Sequence, residues 1–98
     1  MAARTRYLLA YDVRDAARLR RVHQVAKTWG EPLQYSVFVC DLTRAELFWM
    51  KEELLDALDL KEDSVAIFDL GSPTGRAVKC VEFIGTRRAL PEAKDAIW

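Results

Sequence analysis

The sequence is poor in the residues that commonly form a metal or thiol site, because it has one histidine and two cysteines among 98 residues. Cys40 and Cys80 lie far apart, each in an apolar and strand-like run, and no CxxC or Cys/His spacing indicates a zinc site. We therefore expect two buried, reduced thiols. The single histidine, His23, lies in the middle of a predicted helix, so Ser36 has no partner pattern for a Ser/His hydrolase.

A long apolar run and an excess of one charge are also absent. No run approaches the length that crosses a membrane, and no apolar secretion segment follows the N-terminal arginines. These absences predict a soluble, cytoplasmic protein with no membrane partner. The formal net charge is zero, with 15 basic and 15 acidic residues. Binding of nucleic acid would therefore require the basic residues to lie on one face, and arginines do crowd residues 14–21.

The N-terminal part of the chain has the pattern of a strand followed by a helix. Residues 6–13 are rich in aromatic and aliphatic side chains, which is typical of a strand. Asp15 is suited to cap the N-terminus of a helix that runs to about Trp29 and ends at Gly30. The apolar residues at helical spacing that form its buried stripe are Leu19, Val22, Ala26 and Trp29.

A second strand-and-helix pattern follows. Residues 33–41 predict an extended region that is either one strand or two short strands broken near Tyr35 and Ser36. Thr43 and Glu46 have the spacing of a capping box, which begins a helix running to about residue 58. Leu47, Met50, Leu54 and Leu58 face the core of the domain, and Trp49 lies nearly opposite them.

The C-terminal part divides into three further segments. Residues 63–70 predict a strand that completes a core over residues 1–70, and 71–76 form a linker rich in glycine, serine and proline. Residues 77–85 predict an extra strand, and 86–98 form a polar tail.

This order of elements predicts a single α+β domain of the ferredoxin-like, βαββαβ type, with two helices on one face of a sheet. Both faces of the predicted strands are apolar, yet two helices cover only one face. A symmetric homodimer is the simplest way to cover the second face, and the extra strand 77–85 could pair with the partner's edge.

Asp12 is the leading candidate for chemistry, because it ends the first strand and lies at the rim of the sheet. A turn-favouring aspartate that merely ends a strand is the alternative interpretation. In a homodimer, two copies of Asp12 could approach across the twofold axis and, with water and phosphate oxygens, hold Mg²⁺ or Mn²⁺. One carboxylate per chain is a small ligand set, so weak metal binding is expected without nucleic acid.

Arginines beside Asp12 are candidates for binding a nucleic acid. Arg14, Arg18 and Arg21 could contact phosphate groups, and the last two lie three residues apart on the predicted helix. A solvated helix surface is the alternative. Phe38 is a candidate for stacking on a base, although a position in the core is the more typical interpretation.

Three motifs occur together in the first 70 residues. They are Tyr11-Asp12-Val13 after an apolar strand, Gln34-Tyr35-Ser36-Val37-Phe38, and Asp63-Ser64-Val65-Ala66-Ile67-Phe68. In this order and spacing they resemble the CRISPR-associated Cas2 family, and the second motif is the most specific.

The resemblance implies a ferredoxin-like homodimer in which Asp12 is the metal ligand and catalytic residue. It also implies that Arg21 is a basic helix residue of the family and Phe38 an aromatic residue near the active site. The family is described as magnesium-dependent endonucleases of single-stranded RNA or double-stranded DNA. It also forms the central dimer between Cas1 integrase dimers during spacer acquisition.

Two hypotheses follow for this chain. The first is a metal-dependent endonuclease built on Asp12, and the second is a non-catalytic DNA-binding scaffold of the integrase complex. In the scaffold, basic helix faces would hold duplex DNA while the tail and Trp49 contact Cas1. A third and weaker hypothesis is an RNA-recognition sheet, which needs aromatic residues on an open sheet face.

Overall fold

The computed structural model describes residues 3–86 as one α+β domain. Its elements are β1 (Thr5–Asp12), α1 (Ala16–Trp29), β2 (Glu31–Gln34), β3 (Val37–Leu42), α2 (Arg44–Ala57), β4 (Ser64–Gly71) and a short 3-10 helix (Arg76–Lys79). The four strands form one antiparallel sheet in the order β2-β3-β1-β4. This confirms the predicted ferredoxin-like order of elements. A single chain is described, so the homodimer remains a prediction.

The central strand β1 positions the candidate site, because it pairs with β3 on one side and with β4 on the other. Its side chains alternate between two faces, and one face points into the core under both helices. The core is formed by the inward side chains of β1 and β3 and by both helices. Its residues are Tyr7, Leu9 and Tyr11 on β1, Phe38, Cys40 and Leu42 on β3, Val22 and Ala26 on α1, and Met50, Leu54 and Ala57 on α2. Asp12 comes directly after the buried Tyr11, is exposed, and ends β1 at the rim of the sheet.

Helix α1 begins and ends at the predicted residues. The carboxylate of Asp15 accepts a hydrogen bond from the backbone N–H of Arg18, and the N–H of Gly30 donates to the carbonyl of Ala26. A Cβ atom on Gly30 would lie 2.5 Å from the carbonyl oxygen of Val39. Only glycine therefore allows the chain to pass this close to β3 as it leaves the helix.

The capping box of helix α2 is also confirmed. The backbone N–H of Glu46 donates to the Thr43 hydroxyl, and the Thr43 N–H donates to the Glu46 carboxylate. Met50 and Leu54 face the core as expected, whereas Trp49 is 58% exposed. Within residues 3–86, no helix has both the length and the apolar character needed to cross a bilayer.

The segment 33–41, left open by the sequence, forms parts of two strands rather than one. Strands β2 and β3 pair as a hairpin whose turn contains Tyr35 and Ser36. The carbonyl of Ser36 accepts a hydrogen bond from the Tyr11 N–H (N···O 3.1 Å). This bond ties the hairpin turn to the end of β1 that carries Asp12.

The strand predicted over residues 77–85 is not formed in the single chain. Arg76–Lys79 form a 3-10 helix, and residues 81–84 have no regular secondary structure. A strand needs a neighbouring strand for its hydrogen bonds, and the prediction placed that neighbour in a second copy, which a single chain does not test. The predicted tail from residue 87 onward lies outside the described part of the chain.

The expectation of two buried thiols is half correct. Cys40 is buried on β3, but Cys80 is exposed directly after the 3-10 helix. Cys80 was expected inside a strand, and without that strand its Sγ instead contacts the carbonyl of Arg76 (3.2 Å).

The outer face of the sheet is covered in part by the chain's own C-terminal segment. Val81 and Phe83 line a cavity together with Leu8 and Val37 of that face. On the β4 side, by contrast, Phe68 is 50% exposed. The prediction that only a partner could cover this face was therefore too simple for its β2–β3 side, and the β4 side remains available to a partner.

Candidate active site

The carboxylate of Asp12 lies in the open at the end of β1. Its side chain is 67% exposed, and in the sheet Asp12 pairs with Ser64, the first residue of β4. The Arg14 guanidinium is 3.6 Å from Asp12 Oδ2 and is itself 68% exposed. Asp12 and Arg14 therefore present one acidic and one basic group side by side, both accessible to a ligand.

A buried carboxylate, Asp63, holds the loop that follows Asp12. Asp63 lies just before β4 and accepts hydrogen bonds from the backbone N–H of Arg14 (2.9 Å) and of Asp59 (2.9 Å). It also accepts from the Arg18 side chain, with Nε–Oδ2 of 2.7 Å and Nη2–Oδ1 of 3.1 Å. The Arg18 hydrogen bonds hold the pKa of Asp63 well below its usual range, and the two backbone N–H groups lower it further.

The structure gives the predicted phosphate-binding arginines different surroundings. Arg18 is engaged with Asp63, whereas Arg21 is exposed and lines a groove between α1 and α2 that also contains Glu53 and Asp56. The prediction treated Arg18 and Arg21 as one phosphate-binding pair on one helix face. Arg18 is held by Asp63 in this geometry, Arg14 and Arg21 are the accessible members of the predicted set, and phosphate contact by all three stays a prediction.

The prediction that Phe38 stacks on a nucleobase does not fit its position. Phe38 is 0% exposed and packs against the edge of the His23 ring (ring centroids 5.4 Å apart, planes at 77°) and against Tyr11. A side chain that is fully enclosed by the core cannot stack on a base unless the core opens. Its role in this structure is packing.

Tyr11 and His23 form a hydrogen-bonded pair next to Asp12, which the sequence did not reveal. The Tyr11 hydroxyl and His23 Nδ1 are 2.9 Å apart, and Tyr11 is 7% exposed. Burial raises the pKa of Tyr11 to about 12, with a smaller contribution from Tyr35. The phenol is therefore neutral at physiological pH and holds His23 in place by a hydrogen bond rather than by charge.

The described residues of one chain offer few ligands for a divalent ion. Among residues 3–86 there is no group of three or more His, Cys, Asp or Glu that could hold a metal. Of the three aspartates around this rim, Asp15 caps α1 and Asp63 accepts from four N–H groups, which leaves the Asp12 carboxylate to bind an ion. A carboxylate oxygen suits Mg²⁺ or Mn²⁺, which keep several waters and take phosphate oxygens as further ligands. The residues present therefore fit such an ion only with nucleic acid, water or a second chain.

Comparison with known proteins identifies the family of this chain. A family model, "CRISPR associated protein Cas2", matches residues 5–77. The chain is 45% identical over 64 residues to CRISPR-associated endoribonuclease Cas2 2 of Thermodesulfovibrio yellowstonii, covering 65% of this chain and 70% of that relative. It is 35% identical over 79 residues to endoribonuclease Cas2 1 of Rhodospirillum rubrum, covering 81% of this chain and 76% of the relative.

Two solved structures share the fold. The crystal structure of Streptococcus pyogenes Cas2 at pH 6.5 superposes with a TM-score of 0.72 at 34% identity, covering 82% of this chain and 99% of that one. A hypothetical protein of Thermus thermophilus gives a TM-score of 0.74 at 28% identity, covering 86% and 94% of the two chains. Because the family model spans most of the described residues and these relatives agree with it, the chain belongs to the CRISPR-associated Cas2 family.

Proposed function

We propose that this chain is a metal-dependent endonuclease that hydrolyses phosphodiester bonds of single-stranded RNA or double-stranded DNA. The observation that carries the proposal is the exposed Asp12 carboxylate beside Arg14 at the rim of the sheet. The relatives from Thermodesulfovibrio yellowstonii and Rhodospirillum rubrum are named endoribonucleases, and one from Halalkalibacterium halodurans is named an endonuclease. These names support nuclease activity and do not choose between RNA and DNA.

In this proposal Asp12 holds Mg²⁺ or Mn²⁺ together with water and phosphate oxygens. When bound, the ion supplies charge neutralisation at the phosphate and lowers the pKa of a bound water. Arg14, 3.6 Å from Asp12 and exposed, adds a cationic donor to the same phosphate. Asp63 fixes the backbone of Arg14 and so holds the loop in position.

We further propose that the working form is a homodimer in which two Asp12 carboxylates approach across a twofold axis. At this rim one chain offers the Asp12 carboxylate, so a second copy would double the ligand set. The half-exposed Phe68 on the outer face of β4 supplies apolar surface for such an association.

The second candidate function is a scaffold for duplex DNA in spacer acquisition with the Cas1 integrase. The single Asp12 carboxylate favours this alternative, and so do the exposed Arg20 and Arg21 on α1. Phe48 and Trp49 add an exposed aromatic pair on α2 (ring centroids 5.3 Å apart). Trp49 was predicted to contact Cas1, and that contact remains a proposal.

Substitution of Asp12 by asparagine tests the catalytic role, because it keeps the size of the side chain and removes its charge. Cleavage of labelled single-stranded RNA and duplex DNA would be measured with and without Mg²⁺, with Glu52→Gln on α2 as an exposed control. We expect Asp12→Asn to lose roughly 100-fold or more in rate, since the ion supplies several kcal/mol of charge stabilisation. Unchanged cleavage would show that Asp12 is not catalytic.

An assay of spacer integration by Asp12→Asn together with Cas1 distinguishes the two candidate functions. If Asp12→Asn loses cleavage but still supports integration, the nuclease site is real and separate from the scaffold. If no condition gives cleavage and the protein still supports integration, the scaffold is the function of this chain.

A further inference from the structure

The hairpin turn between β2 and β3 carries an exposed aromatic ring beside the candidate site. Tyr35 is 71% exposed, and its ring stacks on that of His23 (centroids 5.5 Å apart, planes at 21°). One face of the tyrosine ring is therefore supported by another ring while the side chain remains largely open to solvent. An isolated exposed tyrosine needs no explanation, but a supported one has the geometry of a stacking platform.

The support beneath this ring is fixed from the core. His23 is held by the hydrogen bond between its Nδ1 and the Tyr11 hydroxyl (2.9 Å) and by the edge contact with Phe38. Phe38 is 0% exposed and Tyr11 is 7% exposed, so both contacts come from residues that packing keeps in place. The exposed ring of Tyr35 is thus held in position before any ligand arrives.

Two hydrogen bonds place Tyr35 at the same end of the sheet as Asp12. The Tyr11 N–H donates to the carbonyl of Ser36 (3.1 Å), and the Tyr11 hydroxyl donates a longer bond to the carbonyl of Tyr35 (3.4 Å). Asp12 is the next residue after Tyr11. The turn is therefore anchored to Tyr11, the residue directly before the candidate catalytic residue.

Basic side chains flank the same side of α1. Arg20 lies three residues before His23 and Lys27 four residues after it, so all three share one side of the helix. Both are exposed. They place cationic residues about one turn before and one turn after His23 on α1, which suits the phosphates of a strand that passes over the ring stack.

We propose that Tyr35 is a stacking site for one unpaired nucleobase, with Arg20 and Lys27 contacting the adjoining phosphates of a single strand. The proposal rests on the nuclease function and deepens it, because it names the substrate class as single-stranded. A base within a duplex has both of its faces covered by neighbouring bases, so it cannot lie on this ring. In this proposal Tyr35 has the stacking role that was one of two interpretations for Phe38, which is buried here.

Binding measurements with Tyr35 variants test the proposal. The dissociation constant would be measured in EDTA, to prevent cleavage, by fluorescence anisotropy of a labelled single-stranded RNA, the DNA strand of the same sequence, and the corresponding duplex DNA. Stacking of one base on an aromatic ring contributes about 1–3 kcal/mol, so we expect Tyr35→Ala to weaken single-strand binding by about 5–150-fold. Duplex binding should not change, while Tyr35→Phe and Tyr35→Trp should keep single-strand affinity.

Trp49→Ala is the matched control, because Trp49 is also an exposed aromatic residue but lies on α2. It should bind all three probes like the wild type. The proposal is overturned if Tyr35→Ala binds single strands normally, if it weakens duplex and single strand equally, or if Tyr35→Phe is as weak as Tyr35→Ala. Equal effects on RNA and DNA strands would support recognition of the base alone, and a loss confined to RNA would support stacking of a ribonucleotide.

The same variants distinguish failure of this proposal from failure of the nuclease function. If Asp12→Asn abolishes cleavage and Tyr35→Ala binds and cleaves normally, only the stacking site is wrong. If Tyr35→Ala loses single-strand affinity but Asp12→Asn cleaves like the wild type, the stacking site stands and the catalytic assignment is wrong.

Discussion

Arg18 and Asp63 form a paired contact that joins helix α1 to the loop before β4. The guanidinium donates to both carboxylate oxygens, with N···O distances of 2.7 and 3.1 Å, and the Asp63 side chain is 0% exposed. The same carboxylate accepts from the backbone N–H of Arg14, two residues after Asp12. Asp63, which is 45 positions from Arg18 in the sequence, therefore fixes the loop that follows Asp12.

Substitution of Asp63 by asparagine is expected to lower both stability and cleavage. The amide keeps the size of the side chain but leaves the Arg18 guanidinium without a counter-charge, and its NH₂ group cannot accept the hydrogen bonds that the lost oxygen accepted. The melting temperature should fall, and kcat should fall more than KM rises, because the loop after Asp12 becomes less ordered. Thermal unfolding and steady-state cleavage measure the two effects.

Glu52→Gln is the control for this substitution, because Glu52 is exposed on α2 and lies outside the groove that contains Arg21. It should leave both quantities unchanged. If Asp63→Asn melted and cleaved like the wild type, Asp63 would have no positioning role.

The lowered pKa of Asp63 makes the stability of the fold depend on pH. Its pKa in the folded protein lies below the ordinary value, which is about 3.9 for an unfolded chain. The folded protein therefore favours the ionised form of Asp63. The stability that this ionised carboxylate contributes is present above the unfolded pKa of about 4, and it is lost as the pH falls toward the folded pKa. We expect the difference in melting temperature between wild type and Asp63→Asn to be constant from pH 7 to 5 and to narrow below pH 4. A difference that stays constant down to pH 2.5 would contradict this.

Arg18 and Arg21 should respond differently to replacement by alanine. Arg21 is exposed, so Arg21→Ala should leave the melting temperature unchanged and weaken nucleic-acid binding. The logarithm of the binding constant decreases linearly with the logarithm of the salt concentration. If Arg21 contacts one phosphate, its loss should make this slope shallower by about 0.7 to 0.9. Arg18→Ala should instead lower the melting temperature, because it leaves Asp63 without its main partner.

Titration at several salt concentrations measures this slope for both variants and the wild type. If Arg21→Ala kept the wild-type slope, Arg21 would not contact phosphate. If Arg18→Ala kept the wild-type melting temperature, the contact with Asp63 would not stabilise the fold.

The parts of this fold that could be predicted from sequence are those made by residues close together in the chain. Asp15 and Thr43 cap their helices through hydrogen bonds to N–H groups three residues later, so the local sequence contains all that is needed. Asp12 was placed at a strand end for the same reason.

Contacts between distant residues could not be predicted in this way. The Arg18–Asp63 pair depends on how the loop before β4 meets α1. The buried pair of Arg6 and Asp41 depends on the register between β1 and β3. Tyr35 looked like an ordinary turn residue until the fold placed His23 beneath it. The strand predicted over residues 77–85 stays a prediction, because its neighbouring strand was placed in a second copy of the chain and an apolar segment cannot form a strand without one.

Phe38 and Tyr35 provide the last prediction, because the sequence offered Phe38 as either a core residue or a stacking residue, and the stacking site is proposed at Tyr35. Phe38 is 0% exposed, so Phe38→Ala should lower the free energy of unfolding by about 3–5 kcal/mol through lost packing and the cavity it leaves. Tyr35→Ala, at a ring that is 71% exposed, should change it by less than about 0.5 kcal/mol. Urea unfolding measures both values. If Phe38→Ala unfolded like the wild type and yet lost affinity for single strands, Phe38 would have to reach the ligand after all, and the stacking role would pass from Tyr35 to Phe38.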